Sequence, residues 1–153
     1  MKERVFLMVI GILAVIGLFV SGYLVKEHYT STGASFCDIN DTFNCSAVNR
    51  SQYAVFLGVP VAILGFLYYL LLLGLALFGQ ALRRGLDLDN ESYALLFIGH
   101  GLLGLLFSLY LTSIEAFALH VFCPLCLASA AIILILNGLA FTRWRAALRG
   151  KSY

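Results

Sequence analysis

The chain has 153 residues, of which 61% are hydrophobic and 12% charged, with a net charge of +2. Soluble domains carry about 25% charged residues, so this composition, with a mean hydropathy of +0.94, excludes an ordinary soluble domain and points to a polytopic membrane protein of the all-α class. The length fits one integral domain spanning 1–153, and the small charge without a basic stripe excludes nucleic acid as a partner.

A spanning helix needs about 20 largely apolar residues. The first stretch that qualifies runs from about Val5 to Val25. It is longer than the apolar region of a signal peptide, about 7–15 residues, and no clear small-residue cleavage site follows; it reads as a retained span. A polar loop, Lys26 to Gln52, comes next. Its early part (Thr30, Ser31, Thr32, Gly33, Ser35) reads as irregular, whereas from Cys45 to Phe56 Val48, Tyr53, Val55 and Phe56 are interleaved with Asn49, Arg50, Ser51 and Gln52. That pattern predicts a short amphipathic helix at the membrane surface. Gly58 and Pro60 mark a bend at the start of the second span, about 53–78. A charged turn, Arg83 to Glu91, leads to the third span, about 93–114. Only Thr112, Ser113, Glu115 and His120 interrupt the apolar path from Tyr110 to Cys123. The fourth span, about 124–141, opens on Cys123-Pro124-Leu125-Cys126. The expectation is a four-helix membrane bundle with a large first loop.

Lys and Arg in short flanking segments set orientation. Eight of the ten basic residues (Lys2, Arg4, Arg83, Arg84, Arg143, Arg145, Arg149, Lys151) fall at the termini and in the second loop. The first loop has only Lys26 and Arg50, and the third has none. Both termini are therefore expected in the cytoplasm, and all four cysteines on the exoplasmic side, where disulfides persist.

The cysteines form two pairs, Cys37 with Cys45 in the first loop and Cys123 with Cys126 at the fourth span. Positions i and i+3 on a first helical turn share a face, and the partial positive charge of a helix N-terminus favours thiolate, the attacking form in disulfide exchange. A four-cysteine zinc site is disfavoured by the seven residues between Cys37 and Cys45, where structural sites have two to four. Static disulfide staples in a structural or transport protein are the other alternative. They have little to stabilise in so apolar a bundle, and no polar residues line a path across the spans. Two pairs on one side suggest a relay: a loop pair that meets a soluble protein and a membrane-edge pair that meets a lipid-soluble electron carrier.

Cys37-Asp38, Cys45-Ser46, Ser51, Gly58, Tyr110-Leu111 and Phe122-Cys123-Pro124-Leu125-Cys126 together resemble the vitamin K epoxide reductase family, especially its prokaryotic disulfide-forming members. The resemblance covers nearly the whole chain. It implies a four-helix bundle around a quinone (ubiquinone or menaquinone) in a prokaryotic plasma membrane. Cys126 would react with the quinone, Cys123 would exchange with the loop pair through Cys45, and Cys37 would exchange with a reduced thioredoxin-like protein. Ser51, Tyr68 and Leu111 are the expected quinone contacts, Ser51 by hydrogen bonding to the headgroup or thiolate; as aromatics within a span, Tyr68, Tyr69 and Phe66 read as pocket candidates with packing or belt positions as the commoner alternative. Animal members carry a tyrosine four residues after the last cysteine, where this chain has Ala130, and an asparagine in a stretch matching Val59 to Leu64, which has none here. These departures argue against epoxide reduction and leave plain quinone reduction. Many bacterial members carry a fused thioredoxin-like domain; this chain ends about ten residues after the fourth span, so such a partner is expected to act in trans.

Three sequons, at Asn40, Asn44 and Asn49, would place glycans over the thiols in a secretory pathway, which favours a prokaryotic setting. His100 lies up to about 35 Å along the chain from Cys123 at 1.5 Å per residue and reads as a packing residue. Glu115 and His120 flank the last cysteine pair and read as residues solvating a short loop, with proton transfer as the alternative.

Overall fold

The computed structural model describes residues 3–30, 35–87 and 89–150. Ser31, Thr32 and Gly33 of the irregular stretch, and the basic residues Lys2 and Lys151, lie outside the described residues. Four helices are long and apolar enough to cross a membrane: α1 (Glu3–Tyr29), α3 (Val61–Gly85), α4 (Asn90–Ile114) and α5 (Pro124–Gly150). The loop helix α2 (Cys45–Asn49) lies between the first two. A π-helical turn, Glu115–Leu119, continues α4.

Local chemistry explains the boundaries. Lys26 and His28 sit in the last turn of α1, where cations complement the helix dipole. Asp89 caps α4 by accepting from the Ser92 N–H at 2.9 Å, the usual role of a short acidic side chain at that position. Pro124 opens α5, where its missing N–H costs nothing.

Two expectations need correction. The amphipathic helix from Cys45 to Phe56 is only the five residues of α2, followed by a 3-10 turn at Gln52–Ala54 and a two-stranded ribbon, β1 (Val55–Phe56) with β2 (Val59–Pro60). The second span accordingly starts at Val61 rather than near Tyr53. The cause is local. Leu57 and Gly58 both have positive φ, 51° and 83°, the turn geometry that closes a two-residue hairpin. Pro60 then holds the preceding residue extended.

Packing divides the bundle into two antiparallel hairpins. Helix α1 lies along α3 and α4 along α5; α1 also touches α5, while α3 and α4 keep their backbones apart and meet mainly through side chains such as the Tyr68–His100 stack. Phe6, Ile10, Tyr69, Leu72, Phe97 and Leu136 form the main core. A smaller cluster of Leu24, Cys37, Cys45, Ala62 and Cys123 closes the other end. Large apolar side chains such as Phe19 and Leu103 project outward, as lipid-facing positions require.

The α1–α3 contact depends on Gly17. A Cβ there would fall on the ring of Tyr69, which is 1% exposed and tied through its hydroxyl to Ser129 Oγ at 2.7 Å. Gly17→Ala is expected to destabilise the bundle by about 1–3 kcal/mol through overpacking, seen as a lower melting midpoint in detergent. An unchanged midpoint would show that the helices separate at no cost.

Candidate active site

The first-loop cysteines are held by the residues that follow them. Cys37 and Cys45 are disulfide-bonded. Asp38 Oδ2 accepts from the Ser35 N–H and the Ser46 hydroxyl, both at 2.7 Å, and Oδ1 accepts from the Ser46 N–H at 2.9 Å. One carboxylate thus clasps both ends of the disulfide loop. Partial burial alone would raise the Asp38 pKa, but the hydrogen bonds from Ser46 and Ser35 outweigh it and hold the group below the ordinary aspartate value.

Helix α2 is fixed in turn to the end of α1. Asn44 caps it, accepting from the Ala47 N–H at 2.8 Å. Asn49 is buried and donates to the Leu24 carbonyl at 2.8 Å, while its own carbonyl accepts from His28 Nδ1 at 2.9 Å. Arg50 reaches the Thr30 carbonyl at 3.0 Å and Glu27 at 3.6 Å. Asn40 Oδ1 accepts from the Thr42 and Phe43 N–H groups at 2.9 and 2.8 Å, so all three sequon asparagines are structural.

A short parallel bridge pairs Phe43 with Phe122. The Asn44 N–H donates to the Phe122 carbonyl at 2.9 Å, and the Phe122 N–H to the Thr42 carbonyl at 2.7 Å. Each bridging strand runs directly into a cysteine, so Cys45 Sγ and Cys123 Sγ lie 3.5 Å apart, both fully buried. Cys123 precedes the first turn of α5, and the Cys126 N–H points at its sulfur at 3.2 Å. The helix thus directs an N-terminal donor at this sulfur in the way a side-chain cap receives one. Cys123 and Cys126 are free thiols.

Cys126 opens onto a cavity of about 330 Å³ between the two hairpins, a volume within the range of small-molecule pockets. Its walls include Val20, Leu24, Ala62, Phe107 and Ile133. The structure brings all three expected contacts, Ser51, Tyr68 and Leu111, to this wall. Ser51 donates its hydroxyl proton to the Val48 carbonyl at 2.8 Å, which leaves its oxygen able to accept. The Tyr68 hydroxyl is buried with no hydrogen-bond partner among the described residues, and its ring stacks on His100 at 4.1 Å. Tyr69 also lines the cavity, but Phe66 lies against Gly22 instead. Val61, Ala62 and Leu64 give an aliphatic wall where animal members are expected to place an asparagine.

The reading of Glu115 as a loop-solvating residue is corrected. Its side chain is 3% exposed, and Oε2 accepts from the Cys123 N–H at 3.2 Å. The π-helical turn, which inserts extra backbone before His120 (φ 54°), carries it inward. His120 stays exposed. Apolar periodicity does not register a π turn; the available signal was an acidic residue eight positions before Cys123 in an otherwise apolar segment.

A disulfide and a dithiol 3.5 Å apart, the dithiol facing an apolar cavity within a four-helix membrane bundle, form the frame of a quinone-linked thiol oxidoreductase. The sequence matches the vitamin K epoxide reductase family over residues 8–141, nearly its whole length, and the chain belongs to that family.

Proposed function

We propose that the protein is a membrane thiol:quinone oxidoreductase that reoxidises a soluble thioredoxin-like protein and passes the electrons through Cys37/Cys45 and Cys123/Cys126 to a quinone, ubiquinone or menaquinone. Family membership supports quinone-linked thiol chemistry in general. The observation that carries the finer reading is the unbroken line of sulfur from the loop disulfide, across 3.5 Å to Cys123, and on to Cys126 at the cavity wall.

In this scheme a thiol of the partner attacks the loop disulfide at Cys37. Phe36 and Ile39, on either side, project outward and offer the partner an apolar surface. Cys37 itself is 4% exposed, so the loop parts around it as the partner docks. The partner's second thiol displaces Cys37, so the partner leaves oxidised and both loop thiols are free; Cys45 then attacks Cys123 in a Cys123–Cys126 disulfide and releases Cys126. Cys37 then resolves the mixed disulfide, leaving the loop oxidised and the second pair reduced, the arrangement of this structure. Each exchange is thiolate attack on a neighbouring sulfur. The second pair re-forms its bond as the electron pair passes from Cys126 to the quinone in the cavity. Arg4, Arg84 and Arg143, at the bundle end opposite the cysteines, support a topology with both termini cytoplasmic and the thiols exoplasmic, and the sequons beside the thiols favour a prokaryotic plasma membrane.

Purified protein supplied with a reduced thioredoxin-like donor is expected to consume quinone, and Cys126→Ala to reduce the rate to background. Absence of quinone loss by folded wild type, with both ubiquinone and menaquinone analogues, would overturn the reading.

A further inference from the structure

Glu115 carries the sole carboxyl group among the described residues lining the cavity, and no Lys, Arg or His joins it there. A carboxyl buried in an apolar bundle is costly unless its oxygens are bound. Here one oxygen is bound by the reactive pair itself: the Cys123 N–H donates to Oε2 at 3.2 Å. Glu115 and Cys126 line the same cavity, so the carboxyl stands beside the second pair and faces the substrate cavity, without a cation on that wall. A carboxyl kept for structure alone gains nothing from facing an apolar cavity; one that exchanges a proton between a thiol and a bound molecule has to.

We propose that Glu115 is a catalytic base: it takes the thiol proton of Cys126 and delivers it to the nearer oxygen of the quinone. This deepens the quinone reading above and rests on it. The overall change is two thiols and a quinone to one disulfide and one quinol. The Cys123–Cys126 bond forms, both sulfurs lose their S–H bonds, and two electrons enter the quinone. The Cys126 proton travels through the Glu115 carboxyl, which ends the cycle as it began. The Cys123 proton, on the sulfur that faces Cys45 and the loop, leaves to solvent, and an equal proton from solvent completes the quinol. The hydroxyls on the wall, whether of Ser and Thr or of Tyr53, Tyr68 and Tyr69, are too weakly acidic to give up and regain a proton at neutral pH.

Glu115→Gln tests this directly, because the amide keeps the volume and an oxygen for the Cys123 N–H yet takes up no proton. With the loop disulfide intact and the second pair reduced, alkylation of Cys126 by N-ethylmaleimide at neutral pH is followed by mass spectrometry. The proposal expects the rate to fall on the order of tenfold in Glu115→Gln, and Glu115→Asp to restore part of it. Loss of a neighbouring anion on its own favours thiolate, so an unchanged or faster rate in Glu115→Gln overturns the assignment. Quinone turnover driven by a small dithiol is expected to drop about 100-fold in kcat with KM for quinone unchanged. Wild-type turnover matched by Glu115→Gln overturns the proposal and leaves the quinone reading intact. Slowed alkylation with no quinone loss in wild type overturns delivery to quinone, together with the quinone reading, while Glu115 remains the base for the thiol.

Discussion

Cys45→Ser is expected to abolish quinone reduction driven by a thioredoxin-like donor, a loss of at least about 1,000-fold, because no other loop sulfur faces Cys123. Cys45 Sγ stands 3.5 Å from Cys123 Sγ, and its bond to Cys37 is the link through which electrons enter. Serine preserves the N-terminal position of α2 and its cap from Asn44, so the bundle and the cavity should survive. The same variant given a small membrane-permeant dithiol is expected to reduce quinone normally, since that reductant reaches the Cys123–Cys126 disulfide without the loop. Activity with the protein donor retained in Cys45→Ser would mean that electrons bypass the loop. Failure with the small dithiol would mean that Cys45 is needed at the second pair itself. The comparison separates the two half-relays with one substitution.

Asp38→Ala is the second large expected effect. Three donors converge on this carboxylate, and they come from the residues beside or near each loop cysteine. Losing it frees Ser35 and Ser46 together, and Cys45 drifts from Cys123. A misplacement on the order of 1 Å costs roughly 100-fold in rate, and turnover with the protein donor should fall by about that factor, while dithiol-driven turnover is preserved. The pH dependence has a definite sign. The folded-state pKa of Asp38 is depressed, so its stabilisation of the loop is present in full above the unfolded aspartate value, about 3.9, and is lost as pH falls through the lower folded value. Loop order, measured by hydrogen exchange at Ser46, should therefore hold from neutrality to about pH 5 and fail only in stronger acid. Asp38→Asn should show the weakened state at all pH values. A wild-type loop that loosens already near neutrality would contradict the role given to Asp38.

Much of the frame was legible in the sequence because lipid imposes long apolar runs. Helix α4 ends at Ile114, its apolar path continuing through the π-helical turn to Leu119, and α5 opens at Pro124. The helix start at Val61 was not legible: Tyr53, Val55 and Phe56 are as apolar as the span that follows, and only Leu57-Gly58 and Pro60 betray the ribbon. The extra length of α5, to Gly150, was hidden because its last turns are basic and fall below the hydropathy of a span. Proximity of Cys45 to Cys123 came from the family resemblance, whereas the device that creates it, the Phe43–Phe122 bridge, is a pairing of two backbone segments with no compositional mark. Asp38 was visible only as the neighbour of a cysteine. Its function as a clasp needs Ser46 brought next to it, a contact of the folded loop. Ser51, Tyr68 and Leu111 do reach one cavity, since they lie on segments that face inward toward the gap between the hairpins.

That gap has a further meaning. The helices associate as α1 with α3 and α4 with α5, and α3 reaches α4 mainly through side chains. The loop disulfide is borne by the first hairpin and the Cys123/Cys126 pair by the second. The chain is thus made of two modules, each owning one redox couple, connected covalently only through the turn near Leu86 at the far end of the bundle. What one module hands to the other crosses a non-covalent seam, held at the cysteine end by two backbone hydrogen bonds and deeper in the bundle by the shared core and the Tyr69–Ser129 hydrogen bond. Insulation between the couples is consequently a property of how the modules lean on each other, and the seam, rather than either couple alone, is where the direction of traffic can be tuned.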